Sequence, residues 1–157
     1  MAESVGVGDT FPKQELVASD GQRLDIGSLD GPAVIYIYAA DGSSTCTLQA
    51  IEFNRALADY QSAGVALVGI SIDDDDSHRG FASEQGLQFP LVSDPGGELS
   101  TRVGVMRDSG EFRGYPLRTT FLLDRDAVVR EVWQPADEEL RDHPAQALAA
   151  ARALTGG

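Results

Sequence analysis

A mixed α/β fold, one sheet with helices on both faces, is what this sequence predicts, and three observations carry it. Two apolar runs of strand length, "AVIYIYA" (33–39) and "VALVGISI" (65–72), lack polar alternation and read as strands covered on both sides. Each is followed by a stretch of helical character that closes on a glycine, Gly64 or Gly86. Two later runs, "RTTFLLD" and "VVREVW", flank the short turn "RDA" and predict an antiparallel strand pair.

Taken in order, "TFPKQELVASDGQRLD" (10–25) places short apolar runs on either side of Asp20-Gly21, a pair that tolerates the positive φ of hairpin turns, and predicts an N-terminal β-hairpin. "IGSLDG" predicts a single helical turn before Pro32. The run 33–39 is expected to be the central strand. After the polar loop "ADGSS", a helix is predicted from Thr45, with Leu48, Ile51, Phe53, Leu57 and Tyr60 at roughly helical spacing. The second helix, "DDDDSHRGFASEQG" (73–86), starts acidic, where negative charge suits the helix dipole. "LQFPLVSDPGG" is a loop or short strand, "ELSTRVGV" a short helix, and "DEELRDHPAQALAAARAL" (137–154) a closing helix with Pro144 as a candidate break. Only the first few residues and the final "TGG" are expected to be disordered.

The 157 residues, 42% hydrophobic, suit one domain spanning 1–157. No apolar stretch reaches membrane-spanning length, and "MAESVGVGDTFPK" lacks the regions of a signal peptide, so the expectation is a cytoplasmic protein with no membrane partner. A net charge of −13 without any basic stripe speaks against nucleic acid. Lys13 is the one lysine among 12 basic residues, a bias that fits either a GC-rich genome or a high-salt cytoplasm. Neither a glycine-rich phosphate loop nor a metal-ligand spacing is present, and no cofactor or metal is expected.

Chemistry concentrates at "AADGSSTCTLQAIEFNR" (39–55), which holds the only cysteine, Cys46. One cysteine excludes an intramolecular disulfide. Cys46 falls one or two residues inside the predicted helix start, with Ser43, Ser44 and Thr45 as candidate caps. Free amides and the positive dipole end there stabilise a thiolate. The C-terminal mouth of a central strand is also where α/β sheets gather ligands. The residues alone leave two readings open, a reactive thiol and a packed one, since free cysteine is among the most buried residue types. His78 reads as a surface or capping residue, His143 as solvated, and Phe121 and Trp133 as core or strand-pair residues.

The chain resembles a peroxiredoxin of the bacterioferritin comigratory protein (PrxQ) branch of the AhpC/TSA family. The resemblance is carried by "STCT", by the stretch "SIDDDDSHRGFASEQGLQFPLVSDPGGELSTRVGV", and by "RTTFLLD". It implies the thioredoxin fold with an N-terminal hairpin added. On the family's PxxxTxxC or PxxxSxxC signature, Cys46 matches the peroxidatic cysteine, Ser43 the hydroxyl residue three before it, and Arg118 the distant arginine. The implied activity is a thiol-dependent peroxidase acting on hydrogen peroxide and organic hydroperoxides. Cys46 would attack the terminal peroxide oxygen, Ser43 would hydrogen-bond peroxide and sulfur, and Arg118 would stabilise the thiolate and the leaving oxygen. Thiol reductases of this fold carry a proline where Arg118 stands.

Four departures from the pattern involve five positions. Ala39 occupies the place of the motif proline that shields the sulfur, Ser44 and Thr45 replace a Pro-Gly pair, and Gln49 stands where glutamate is common. Ile51 occupies the place of a resolving cysteine, so the sulfenic acid on Cys46 must be reduced by an external thiol: thioredoxin, glutaredoxin or a low-molecular-weight thiol. A monomer and a homodimer are both compatible with such folds. The alternative function is a degenerate member of the fold, kept as a redox-sensing or binding module.

Overall fold

The computed structural model describes residues 5–155. The expected disorder at the extreme termini concerns residues 1–4 and 156–157, which lie outside the described residues. Thr155, expected among them, instead ends the last helix, its backbone N–H donating to the Arg152 carbonyl (3.1 Å).

An antiparallel hairpin, β1 (Glu15–Val17) and β2 (Arg23–Asp25), forms a small sheet of its own, with Gly21 of its connection at φ 91°. The main sheet has five strands in the order β5-β4-β3-β6-β7. Here β3 is Ala33–Ile37, β4 Ala66–Ser71, β5 Leu91–Ser93, β6 Thr119–Leu123 and β7 Val129–Trp133. β3 is central as expected. It pairs in parallel with β4 (Ile35↔Val68) and antiparallel with β6 (Ile35↔Phe121), and all five of its residues are buried. β6 and β7 form the predicted antiparallel pair, with an irregularity between Leu122 and Leu123.

Helices α1 (Ser44–Ser62), α2 (Asp75–Gln85), α3 (Glu98–Arg102) and α4 (His143–Leu154) surround this sheet. Val34, Tyr36 and Tyr38 pack with α1, α4 and Phe81 of α2. Ile35 and Ile37, on the opposite side of the pleat, pack with α3, the hairpin and Phe11. The result is the thioredoxin-type mixed α/β architecture with helices on both faces. None of the described helices is long and apolar enough to cross a membrane.

Two local expectations are corrected. Residues 26–31 do not form a helical turn, because the Asp25 carboxylate accepts from Gly27 N–H (2.9 Å) and its carbonyl from Ser28 N–H (3.1 Å), closing an Asx-type turn instead. The closing helix does not run from 137. Asp137–Glu139 is a separate 3-10 turn, and Pro144 sits in the first turn of α4, where its missing N–H costs nothing.

Candidate functional site

Helix α1 begins where it does because Ser43 caps it. Ser43 has extended backbone (φ −67°, ψ 150°), its Oγ accepts from the Cys46 amide (3.2 Å), and its carbonyl accepts from Thr47 N–H (2.8 Å). Cys46 is therefore the third helical residue, in a first turn that contains no acidic side chain. Nothing in that turn opposes the positive end of the dipole. The buried stripe of α1 runs through Cys46, Gln49, Ala50, Phe53, Leu57 and Tyr60, so the sulfur heads the face that meets β3. Cys46 is 2% exposed. Ala39, at the place of the motif proline, packs against the same cluster.

Arg118, immediately before β6, reaches this turn from across the sheet. Its Nη2 donates to Thr45 Oγ1 (2.8 Å) and its Nη1 to Gln49 Oε1 (2.7 Å). Thr45 and Gln49 are four residues apart and so share one side of α1, where they hold the guanidinium against the head of the helix. The sequence-derived residues thus meet in part. Ser43 bonds the Cys46 backbone, whereas Arg118 is placed through Thr45, read from sequence only as a candidate cap, and Gln49, given no role there. Their i, i+4 spacing was the available signal. Gln49 Nε2 and the Tyr36 hydroxyl, both buried, have no partner among the described residues. Burial pushes the Tyr36 phenol well above its usual range, the charges of Cys46 and Asp41 add to the rise, and Arg118 opposes it.

A second cluster ties down the loop between β3 and α1, and it corrects the reading of His78 as a surface or capping residue. His78 is fully buried. Its Nδ1 donates to Asp41 Oδ2 (2.8 Å), and its Nε2 stands 3.2 Å from the Val92 carbonyl oxygen. Asp41 also accepts from the Tyr38 hydroxyl (2.5 Å) and from Ser77 Oγ (2.8 Å). Burial alone would raise the Asp41 carboxyl, but the hydrogen bonds from His78, Tyr38 and Ser77 outweigh it and hold the group below the usual carboxylate range. The backbone N–H of Asp41 donates to Asp73 Oδ2 (2.7 Å), which also accepts from Ser71 Oγ (2.7 Å). In the acidic run, Asp74 caps α2 by accepting from Ser77 N–H (2.8 Å), and Asp75 and Asp76 occupy its first turn as predicted.

His143 is likewise buried rather than solvated: its Nε2 lies 2.9 Å from Thr120 Oγ1, its Nδ1 2.9 Å from Gln146 Oε1, and its ring packs edge-on against Phe53 and Trp133. Phe121 is fully buried against Phe11, as expected of a core residue. Among the described residues no group of His, Cys, Asp and Glu side chains is arranged to hold a metal ion.

Comparison with known proteins places this arrangement among relatives. The AhpC/TSA family matches residues 7–132. Peroxiredoxin Q of the Populus jackii chloroplast is 37% identical over 130 residues, covering 82% of this chain and 60% of that protein. The chain therefore spans about three fifths of the length of that relative. Among solved structures, the peroxidoxin BcpB of Mycobacterium tuberculosis superposes with a TM-score of 0.83 at 31% identity, covering 96% of this chain and 98% of that one. The bacterioferritin comigratory protein of Xanthomonas campestris, studied for its alkyl peroxide reduction activity, gives 0.79 at 29% identity, with 98% and 99% covered.

Proposed function

The chain belongs to the AhpC/TSA family, in its peroxiredoxin Q and bacterioferritin comigratory protein branch, and from that membership we propose that it is a one-cysteine, thiol-dependent peroxidase. The observation that carries the reading is the head of α1: the only cysteine sits in a serine-capped first turn free of carboxylates, and Arg118 is held to that same turn. This is the electrostatic environment a nucleophilic thiolate needs.

In the proposed cycle the Cys46 thiolate gives an electron pair to the terminal oxygen of a peroxide, ROOH. The O–O bond breaks, the leaving RO⁻ takes a proton to become ROH, and Cys46 becomes a sulfenic acid. Ser43 would hydrogen-bond the incoming peroxide, and Arg118 would supply fixed donors toward the charge that moves from sulfur to the leaving oxygen. With no second cysteine, an external thiol R′SH attacks the sulfenic sulfur, releasing water and leaving a mixed disulfide. A second R′SH then frees Cys46 as R′SSR′ departs. The sum is ROOH + 2 R′SH → ROH + R′SSR′ + H₂O. Hydrogen peroxide and small organic hydroperoxides are the substrates; thioredoxin, glutaredoxin or a low-molecular-weight thiol is the reductant. The cytoplasm, where such thiols are kept reduced, is the setting. A sensing or binding module without turnover is disfavoured, since Ser43 and Arg118 both stand at the Cys46 turn.

The test mixes reduced protein with hydrogen peroxide and follows the addition of one oxygen to Cys46 by quenched mass spectrometry. Oxidation much faster than that of a free thiol is expected, falling about 10²-fold in Arg118→Ala, as when one preorganised oxyanion donor is removed. Oxidation at the free-thiol rate, unchanged by Arg118→Ala, overturns the reading.

A further inference from the structure

Because Cys46 is 2% exposed, the two halves of the proposed cycle make opposite demands on the loop that covers it. A peroxide is small, and only its terminal oxygen has to reach the sulfur. A thiol carried by another molecule must reach the sulfenic sulfur opposite its departing oxygen, and that path is blocked while the first turn of α1 stays packed against β3. The loop 39–43 must therefore release before reduction.

What holds that loop is the cluster around Asp41. Its carboxylate accepts from Tyr38, just past the end of β3, and from Ser77 and His78 on α2, while its own N–H is fixed to Asp73. His78 is anchored in turn beside the Val92 carbonyl of β5, so the loop is fastened to three neighbouring parts of the sheet layer. Among the described residues none of these side chains hydrogen-bonds Cys46, and the proposed peroxidase chemistry uses none of them. Side-chain and main-chain bonds converge on the single residue Asp41, and Gly42 next to it, at φ 82°, makes the bend into the Ser43 cap.

We propose that Asp41 and His78 form a clamp, with Tyr38 as its third member, that positions the Cys46 loop for peroxide attack and sets how often it opens to admit the reducing thiol. They are positioning residues: they act on the rate of sulfenic acid reduction through the closed-to-open equilibrium of the loop. If the closed state dominates, loosening the clamp multiplies the small open fraction while leaving the closed fraction nearly whole. Reduction accelerates and oxidation scarcely changes.

The proposal rests on the peroxidase cycle above, and measuring the half-reactions separately keeps the two readings distinguishable. Wild type, Asp41→Asn, Asp41→Ala, His78→Asn and Tyr38→Phe are each pulsed with one equivalent of hydrogen peroxide, then the sulfenic form is mixed with dithiothreitol, and both steps are read by quenched mass spectrometry. Tyr38→Phe keeps the buried ring and serves as the variant that is certain to pack. The expected result is reduction about tenfold faster in Asp41→Ala and His78→Asn, the change that a tenfold larger open fraction gives. Asp41→Asn and Tyr38→Phe fall between these and wild type, and oxidation stays within about threefold throughout on the same population argument. Amide exchange at Cys46 and Thr47 should quicken in the same order. Asp75→Asn, exposed in the same turn of α2 but outside the clamp, should leave both steps unchanged. Two outcomes overturn the clamp: both half-reactions slowing together with stability in every variant, as a purely structural role requires, or reduction unchanged in Asp41→Ala and Tyr38→Phe. Failure of wild type to be oxidised at all sinks the peroxidase reading instead.

Discussion

Arg118 owes its position to two side chains on α1, Thr45 and Gln49, and of these the partly buried Thr45 can be altered without disturbing the core. Thr45→Val keeps the volume but deletes the hydroxyl that accepts from Nη2. The guanidinium then hangs on Gln49 alone, and Cys46 oxidation is expected to slow by about tenfold, the usual worth of one hydrogen bond to a charged group. Stopped-flow oxidation of the variant checks this, with the melting temperature as the control for folding. Ser43→Ala removes the cap as well as the proposed peroxide contact. It should cost about 1 kcal/mol in urea unfolding and slow oxidation besides. Cys46, Ser43 and Arg118 were singled out from sequence by resemblance to a family motif, and the structure brings Ser43 to the Cys46 amide and Arg118 to Thr45 in the same helical turn. The Thr45–Arg118 contact was not legible in the sequence, since it spans 73 residues and depends on β6 lying beside β3. Asp41 and His78, 37 apart, were hidden for the same reason: only the parallel placement of β4 next to β3 brings α2 over the loop.

At the scale of elements, α4 is docked through its first turn. Tyr60 donates to the Pro144 carbonyl (2.7 Å), and His143 sits between Thr120 and Gln146. Burial pushes the His143 imidazole below its ordinary 6.5, against the smaller opposing pulls of the Gln146 hydrogen bond and the Glu139 charge. The folded chain therefore binds this proton less readily than the unfolded one. The stability this gives is fully present above about 6.5, and is lost as the pH falls below that value toward the lowered folded pKa. Thermal melts should show a transition that weakens on acidification from that point, with a shallower slope in His143→Gln. The helices and the strand pair were legible from periodicity and glycine stops. The start of α4 was not, because a proline reads equally as a break or as a first-turn residue until the neighbouring packing chooses. Gly69 on β4 shows how tight the layer beside Cys46 is. A Cβ there would stand 3.0 Å from Tyr36 and from Leu91, so Gly69→Ala should destabilise by roughly 1–3 kcal/mol in urea unfolding.

The whole molecule carries −13 net charge, 25 acidic against 12 basic residues, and so repels itself. Its melting temperature is expected to rise as sodium chloride is taken from about 0.01 M to about 0.15 M, where screening shortens from roughly 30 to 8 Å. A chain with one thiol also has no internal defence once oxidised. Under excess peroxide without reductant, Cys46 should pass from one added oxygen to two, and activity should then resist recovery by dithiothreitol. One consequence of the sheet order concerns the ribosome. Cys46 is synthesised long before the strand that pairs with β3 on its antiparallel side and before the arginine that reaches Thr45, so during synthesis the sulfur belongs to an unfinished layer. On the proposed reading, reactivity is completed only by the last quarter of the chain, and until then Cys46 would behave as an ordinary thiol.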